Sequence, residues 1–198
     1  MLRSIKSIDE HIELQKQKNW KQMMSVGELT DMTIGITGFG GIGQEVARIA
    51  KAFRMVVYAT KRTPVLSDNL DRLFKPSELD EMLKSCDFVV NCLPSSQDTQ
   101  KVFSDNQFKA MKSSCMFINV GRGESVDENA LAKALVDGEI ECAALDTTDP
   151  EPLEPNSPLW TLPNCFITPH DSAWGPSCLL YTSDAADDTP CVDLGGRR

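Results

Sequence analysis

MTIGITGFGGIGQEVARIAKAF, residues 32–53, opens as a short β-rich apolar run, breaks at a cluster of glycines and resumes with apolar residues at helical spacing. Val46, Ile49, Ala50 and Phe53 recur at the intervals of a helix. Between run and helix, Gly38, Gly40 and Gly43 fall in the pattern G-x-G-x-x-G, with Phe39, Gly41 and Ile42 completing the turn. In a strand–turn–helix setting each glycine has a physical task. The first allows the tight turn, the second lets a pyrophosphate approach the backbone, and the third lets helix and strand pack closely. The helix N-terminus attracts the phosphate charge. The reading is a dinucleotide-binding turn; a purely structural βα turn and a methyl-donor nucleotide site stay open as alternatives.

The next apolar run, MVVYAT at 55–60, ends at Thr60, Lys61 and Arg62, with no acid before Asp68. An acid at this strand end holds the ribose 2′-hydroxyl of NAD, and it would repel the 2′-phosphate of NADP. Lys61 and Arg62 would instead pair with that phosphate. The sequence therefore favours NADPH over NADH, with a solvated basic turn as the alternative.

Further apolar runs at 87–93, 115–120, 141–146 and 164–169 alternate with helical text. Pro76 and Ser77 open the helical stretch SELDEMLKS; Ser104 and Gln107 stand in capping-box spacing before another helix. A third runs from an Asp127 cap to a stop at Gly138, with Leu131 and Leu135 on its inner face. Alternating strands and helices predict an α/β fold, a Rossmann-type doubly wound parallel sheet covered on both faces. Residues 1–24 read as one amphipathic helix with Leu2, Ile5, Ile8 and Ile12 on a stripe. The proline-rich stretch 149–158 reads as a functional loop.

Composition narrows the function classes. A formal net charge of −9 argues against a binder of nucleic-acid backbones. No run is long enough to cross a bilayer, and the N-terminal residues lack a signal-peptide core. Cysteines 86, 92, 115, 142 and 165 lie in or beside apolar segments without C-x-x-C spacing, so buried free thiols in a reducing, cytoplasmic setting are expected and no metal site is.

Three more segments carry a resemblance: NVGRGESVDENALAKAL (119–135), AALDTTDPEPL (143–153) and TPHDSAW (168–174). With the glycine turn, their order and spacing resemble the D-isomer-specific 2-hydroxyacid dehydrogenases, the group of glyoxylate/hydroxypyruvate and phosphoglycerate enzymes, over about residues 1–175. The resemblance implies an NAD(P)-dependent oxidoreductase acting on a small 2-keto or 2-hydroxy acid, and a homodimer. It makes Arg122, Glu151 and His170 the catalytic residues. Arg122 would hold the substrate carboxylate and polarise the keto oxygen; His170 would exchange a proton with that oxygen; Glu151 would orient the imidazole and stabilise its charged form. It also puts Leu93 and Pro94 against the adenosine side of the cofactor, Val120 near the nicotinamide, Asp146 on the nicotinamide amide, and Gly121 among the cofactor-binding residues. Glu151 in place of an amide speaks against the formate dehydrogenase branch, and TTDPEPL departs from the aromatic that often follows in the family.

The resemblance further implies that residues 1–25 are a helix leading from a substrate domain, that 26–176 are the dinucleotide-binding domain, and that most of the substrate domain is missing, so that this chain binds cofactor with little turnover of its own. Residues 177–198 are unlike the rest. CLLYTSDAADD, TPC and VDLGGRR look like a translated sequencing adaptor around a variable index, so a non-native or disordered tail is expected there. A corepressor-like or dinucleotide-sensing module without turnover is the alternative function, and phosphite or other non-carbon substrates share the scaffold.

Overall fold

The computed structural model describes residues 1–23 and 26–173. The expectations for the tail lie outside the described residues. Among the described residues seven strands form one parallel sheet: β1 (Thr33–Thr37), β2 (Val56–Thr60), β3 (Arg72–Phe74), β4 (Phe88–Asn91), β5 (Met116–Asn119), β6 (Cys142–Leu145) and β7 (Cys165–Ile167), in the order β3-β2-β1-β4-β5-β6-β7. The chain runs outward from β1 to β3, returns to the other side of β1 and runs outward again to β7. The order reverses between β1 and β4, the place where doubly wound sheets open a crevice at their carboxyl ends.

Strand alternation divides the core between the two faces. Ile34, Ile36, Val57, Phe88 and Val90 pack with Ala47 and Ala50 of α3 (Gly41–Ala52). Val89, Phe117, Ala143 and Leu145 meet α4 (Leu79–Leu83), α5 (Asp105–Ala110) and α6 (Glu128–Asp137), where Phe103, Phe108 and Phe117 cluster with ring centroids 4.8–6.4 Å apart. Two of the expected caps form, at Ser104 and Asp127, whereas Pro76 and Ser77 lie in a short 3-10 turn, Pro76–Glu78, and α4 begins at Leu79 without a side-chain cap. Gln107 accepts from the Ser104 amide, and Asp127 accepts from the Asn129 and Ala130 amides at 3.1 and 3.2 Å. Gly138 ends α6 with φ 71, a left-handed value at low cost only to glycine. Leu131 and Leu135 are buried as expected.

Four further features differ from the sequence reading. The first helix is two: α1 (Leu2–Ile5) and α2 (Ile8–Lys16), broken where Ser7 turns left-handed with φ 48. Docking imposes the break. Ile5 packs toward the sheet, its carbonyl accepts from the Gly27 amide, Lys6 donates to the Gly27 carbonyl at 2.7 Å, and Arg3 lies over the Phe166 ring. The helix also stops at Lys16, because the Lys18 and Asn19 amides close back on the Gln15 and Leu14 carbonyls. Helix α3 buries its small residues, Gly43, Ala47 and Ala50, while Ile49 and Phe53 remain exposed. Small residues let the helix axis approach the sheet. The fourth difference is β3, too short and polar to read from sequence, an edge strand with Arg72 over the ring of Phe74.

Removing the best-defined cap has a calculable effect. Burial pushes the Asp127 carboxyl up, but the Ala130 amide, Lys101 and the Asn129 amide outweigh it and hold it below its ordinary value. Its contribution is therefore complete above the unfolded-chain value of about 3.9 and is lost as pH falls through the lower folded value. Asp127→Ala is expected to lower the unfolding free energy by about 1 kcal/mol in urea titrations at neutral pH. The gap from the parent should close below about pH 4.

Candidate active site

Sheet register places one polar residue from each central strand at the carboxyl edge. Thr37 lies opposite Asn91, and Asn91 opposite Asn119. The three are buried and fully bonded to one another and to the loops they support. Thr37 Oγ1 donates to Asn91 Oδ1 at 3.0 Å, and Asn91 Nδ2 donates to Asn119 Oδ1 at 2.8 Å and Ser125 Oγ at 2.6 Å. Asn91 Oδ1 also accepts from the Leu93 amide, and Asn119 Oδ1 from the Gly121 amide. Asn119 Nδ2 reaches the carbonyls of Arg122 and Thr147, and Ser125 Oγ donates to the Arg122 carbonyl at 2.6 Å. Both amide side chains thus use their two donors and both lone pairs. Sequence reasoning missed these residues. The signal was a polar residue closing an apolar strand in TIGIT, FVVN and MFIN.

The glycine turn leaves β1 at this edge. Gly38 has φ 86, and a Cβ there would sit 2.8 Å from the Cys92 carbonyl oxygen; a Cβ on Gly43 would overlap the Gly38 carbonyl. At Gly40 a Cβ would meet no heavy atom within 4 Å. Gly40 is the N-cap of α3, so this opening lies before the first N–H groups of the helix, a setting that attracts an anion. A cleft of about 540 Å³ adjoins it, lined by Gly40, Gly41, Gln44, Glu45, Arg48, Lys61 and Asn69. Phe39 turns its ring into the core, leaving its backbone to the turn, whereas Ile42 is exposed. Lys61 Nζ donates to the Phe39 carbonyl at 2.7 Å, tying the end of β2 to the turn. Arg62 is exposed and faces Asp98.

Leu93 and Pro94 follow β4, and Val120, Gly121 and Arg122 follow β5. The two loops touch, since a Cβ on Gly121 would lie 2.7 Å from the Leu93 carbonyl oxygen. Arg122 Nη1 donates to the Gly121 carbonyl at 2.9 Å. Glu151 follows β6 and His170 follows β7, and the two meet: His170 Nδ1 lies 2.9 Å from Glu151 Oε2. Glu151 Oε1 accepts from the Thr148 amide, which fixes the carboxylate. His170 itself adopts a left-handed φ of 53, a conformation that the surrounding structure must hold in place.

Asp146 supplies that hold. Its carboxylate accepts from the hydroxyls of Thr168 and Ser172, each at 2.5 Å, and from the amides of Asp171 and Ser172. Burial pushes its carboxyl up, but these donors, led by the Ser172 hydroxyl, keep it below the usual range. The thiols show the contrary case. Burial pushes Cys86, Cys92 and Cys165 up to about 12 and raises Cys115 as well, so they are protonated packing residues. Among the described residues no group of three or more His, Cys, Asp or Glu side chains is placed to hold a metal ion.

The family model for the D-isomer specific 2-hydroxyacid dehydrogenase NAD binding domain matches residues 1–172. The chain belongs to this family. It is an NAD(P)-binding domain with the Rossmann fold of the D-2-hydroxyacid dehydrogenases. It is 41% identical to the glyoxylate reductase of Thermococcus gammatolerans over 154 residues, 76% of this chain and 45% of the relative. It is 44% identical to glyoxylate/hydroxypyruvate reductase B of Klebsiella pneumoniae over 141 residues, 70% of this chain and 43% of the relative. The structure of an NADPH-dependent glyoxylate/hydroxypyruvate reductase from Sinorhizobium meliloti, in complex with NADP and sulfate, superposes with a TM-score of 0.82 at 31% identity, covering 91% of this chain and 58% of that one. The chain thus spans about half the length of the curated relatives it matches.

Asp146→Asn tests the hold on the histidine segment. The amide places a donor where the carboxylate accepted, at a local cost of about 1–3 kcal/mol. The amides of Asp171 and Ser172 are expected to exchange hydrogen at least about ten-fold faster in the variant. Because the parent carboxylate is held below its unfolded value of about 3.9, acid should reproduce the effect only below about pH 4. Unchanged exchange would overturn the assignment.

Proposed function

We propose that residues 26–176 form the cofactor domain of a reductase that interconverts small 2-keto and 2-hydroxy acids, with glyoxylate or hydroxypyruvate as substrate. Residues 1–25 lead, in this reading, toward a substrate-side domain. The observation that carries the proposal is the Glu151–His170 pair at 2.9 Å, beside a turn whose open Gly40 suits a pyrophosphate. The reductase names of the relatives support it over a sensing module without turnover.

The chemistry follows from the residue types. NADPH, when bound, supplies a hydride to the keto carbon. Arg122 presents a planar guanidinium that binds the substrate carboxylate and polarises the neighbouring keto oxygen. With Nδ1 of His170 engaged by Glu151, Nε2 is the nitrogen that gives its proton to that oxygen, completing the hydroxyl. In the opposite direction Nε2 takes the proton back. The Glu151 carboxylate stabilises the imidazolium and fixes the ring.

Lys61 and Arg62, with no acid at the end of β2, support NADPH as the preferred cofactor. Exposed apolar side chains on α1 and α2, Leu2, Ile8 and Ile12 at 41–50% accessible, support a homodimer. Free thiols at all five described cysteines support a cytoplasmic location. The net charge of −9 supports small acids rather than nucleic acids as partners, and no helix among the described residues is long and apolar enough to cross a membrane.

Two outcomes are expected. In calorimetric titration the chain should bind NADPH about ten-fold tighter than NADH, the scale of one or two charge-assisted contacts; equal affinity, or tighter NADH, would overturn the Lys61/Arg62 reading. Joined to the substrate-side domain of the Thermococcus gammatolerans relative, the domain should oxidise NADPH when glyoxylate is added. His170→Ala should then slow turnover by about 10²–10⁴-fold with NADPH affinity unchanged. Turnover that survives the substitution would remove His170 from the mechanism.

A further inference from the structure

Two charged side chains meet above the crevice. Strand β2 leads to Arg62, and β4 leads to Asp98 in a short 3-10 turn, Gln97–Thr99. Their strands are the two neighbours of β1, so a contact between them spans the end of β1 from which the glycine turn departs. Arg62 Nη1 lies 3.8 Å from Asp98 Oδ2, and both side chains are more than 80% exposed. The acid's backbone is fixed from within its own turn. The Ser96 amide donates to Thr99 Oγ1 at 2.9 Å, and that hydroxyl donates to the Pro94 carbonyl at 2.6 Å. Lys61, the other cation at this strand end, is bonded to the Phe39 carbonyl.

We propose that Asp98 is a cofactor-selectivity residue: a built-in counter-ion to Arg62 that the 2′-phosphate of NADPH must displace. The assignment rests on the reading of Arg62 as the partner of that phosphate. Two effects act in one direction. The phosphate replaces an existing ion pair instead of meeting an uncompensated guanidinium, and after displacement a carboxylate stands near a group of the same sign. Neither acts on NADH, whose ribose carries a neutral hydroxyl. A carboxylate can accept from that hydroxyl, the task an acid at the end of β2 performs in NAD sites. Asp98 thus brings across from β4 the acid that β2 lacks and narrows the preference for NADPH. The effect is modest, because a long, exposed, single-contact ion pair is weak and a phosphate binds guanidinium more strongly.

The test is direct binding, by calorimetric titration of NADPH and NADH into the chain and into Asp98→Asn, Arg62→Met and the double variant. Asp98→Asn should tighten NADPH about three-fold, the scale of an exposed ion pair, and leave NADH no tighter. The gain should vanish in the Arg62→Met background and shrink when the salt is raised to about 0.5 M. An equal gain for both cofactors, a gain that persists without Arg62, or no gain overturns the assignment of Asp98 while leaving the cofactor domain intact. A parent chain that binds neither cofactor overturns the proposed function, and this assignment with it.

Discussion

The loops that leave β4 and β5 at the carboxyl edge of the sheet depend on the hydrogen bonds by which Asn91 joins Thr37, Asn119 and Ser125. Where parallel strands end, the backbone groups of the departing loops need partners, and a buried loop without them is unstable. Asn91 and Asn119 meet that need for the loops after β4 and β5 together, binding the amides of Leu93 and Gly121 and the carbonyls of Arg122 and Thr147. A fully satisfied buried network has essentially one arrangement. The backbone at Arg122 is consequently set by the sheet and not by the loop's own flexibility, which is what a guanidinium needs if it is to meet a planar carboxylate in a fixed orientation.

The glycine turn meets the same edge with a different constraint. Gly38 and Gly43 are required by what already lies against them, the Cys92 carbonyl and the Gly38 carbonyl, whereas Gly40 faces space. The close approach at Gly43 brings α3 down onto β1, the one at Gly38 lets the turn pass the end of β4, and Gly40 stays open toward the adjoining cleft. The short helix-to-strand distance sets the packing of α3. Burial of Ala47 and Ala50 along the same helix face follows from it, and so does the exposure of the bulkier Ile49 and Phe53.

The doubly wound sheet was legible because its strands are apolar runs and its turns carry strong local signals, such as the G-x-G-x-x-G pattern and the Asp127 and Gly138 caps. Local signals failed where tertiary contacts decided the outcome. Ser7 breaks the first helix because α1 docks through Ile5, Lys6 and Gly27, a contact absent from any periodicity. Residues 72–74 become a strand only because β2 has a free edge to pair with. In the site, Arg122, Glu151 and His170 were legible through family resemblance, and the structure brings Glu151 and His170 together. The asparagine row was not, because one polar residue at a strand end acquires meaning only when register aligns three of them.

The two acids beside the histidine segment divide its control. Asp146 binds backbone and hydroxyl groups on both sides of His170, so it governs where the residue sits. Among the described residues Glu151 binds the ring nitrogen Nδ1 and the Thr148 amide, so it governs which ring nitrogen faces outward. A carboxylate saturated by four donors would be a poor acceptor for a ring nitrogen. One held by a single amide keeps the lone pairs that the ring requires. Holding the left-handed turn at His170 and orienting its ring thus fall to different carboxylates, and each can be strong without weakening the other.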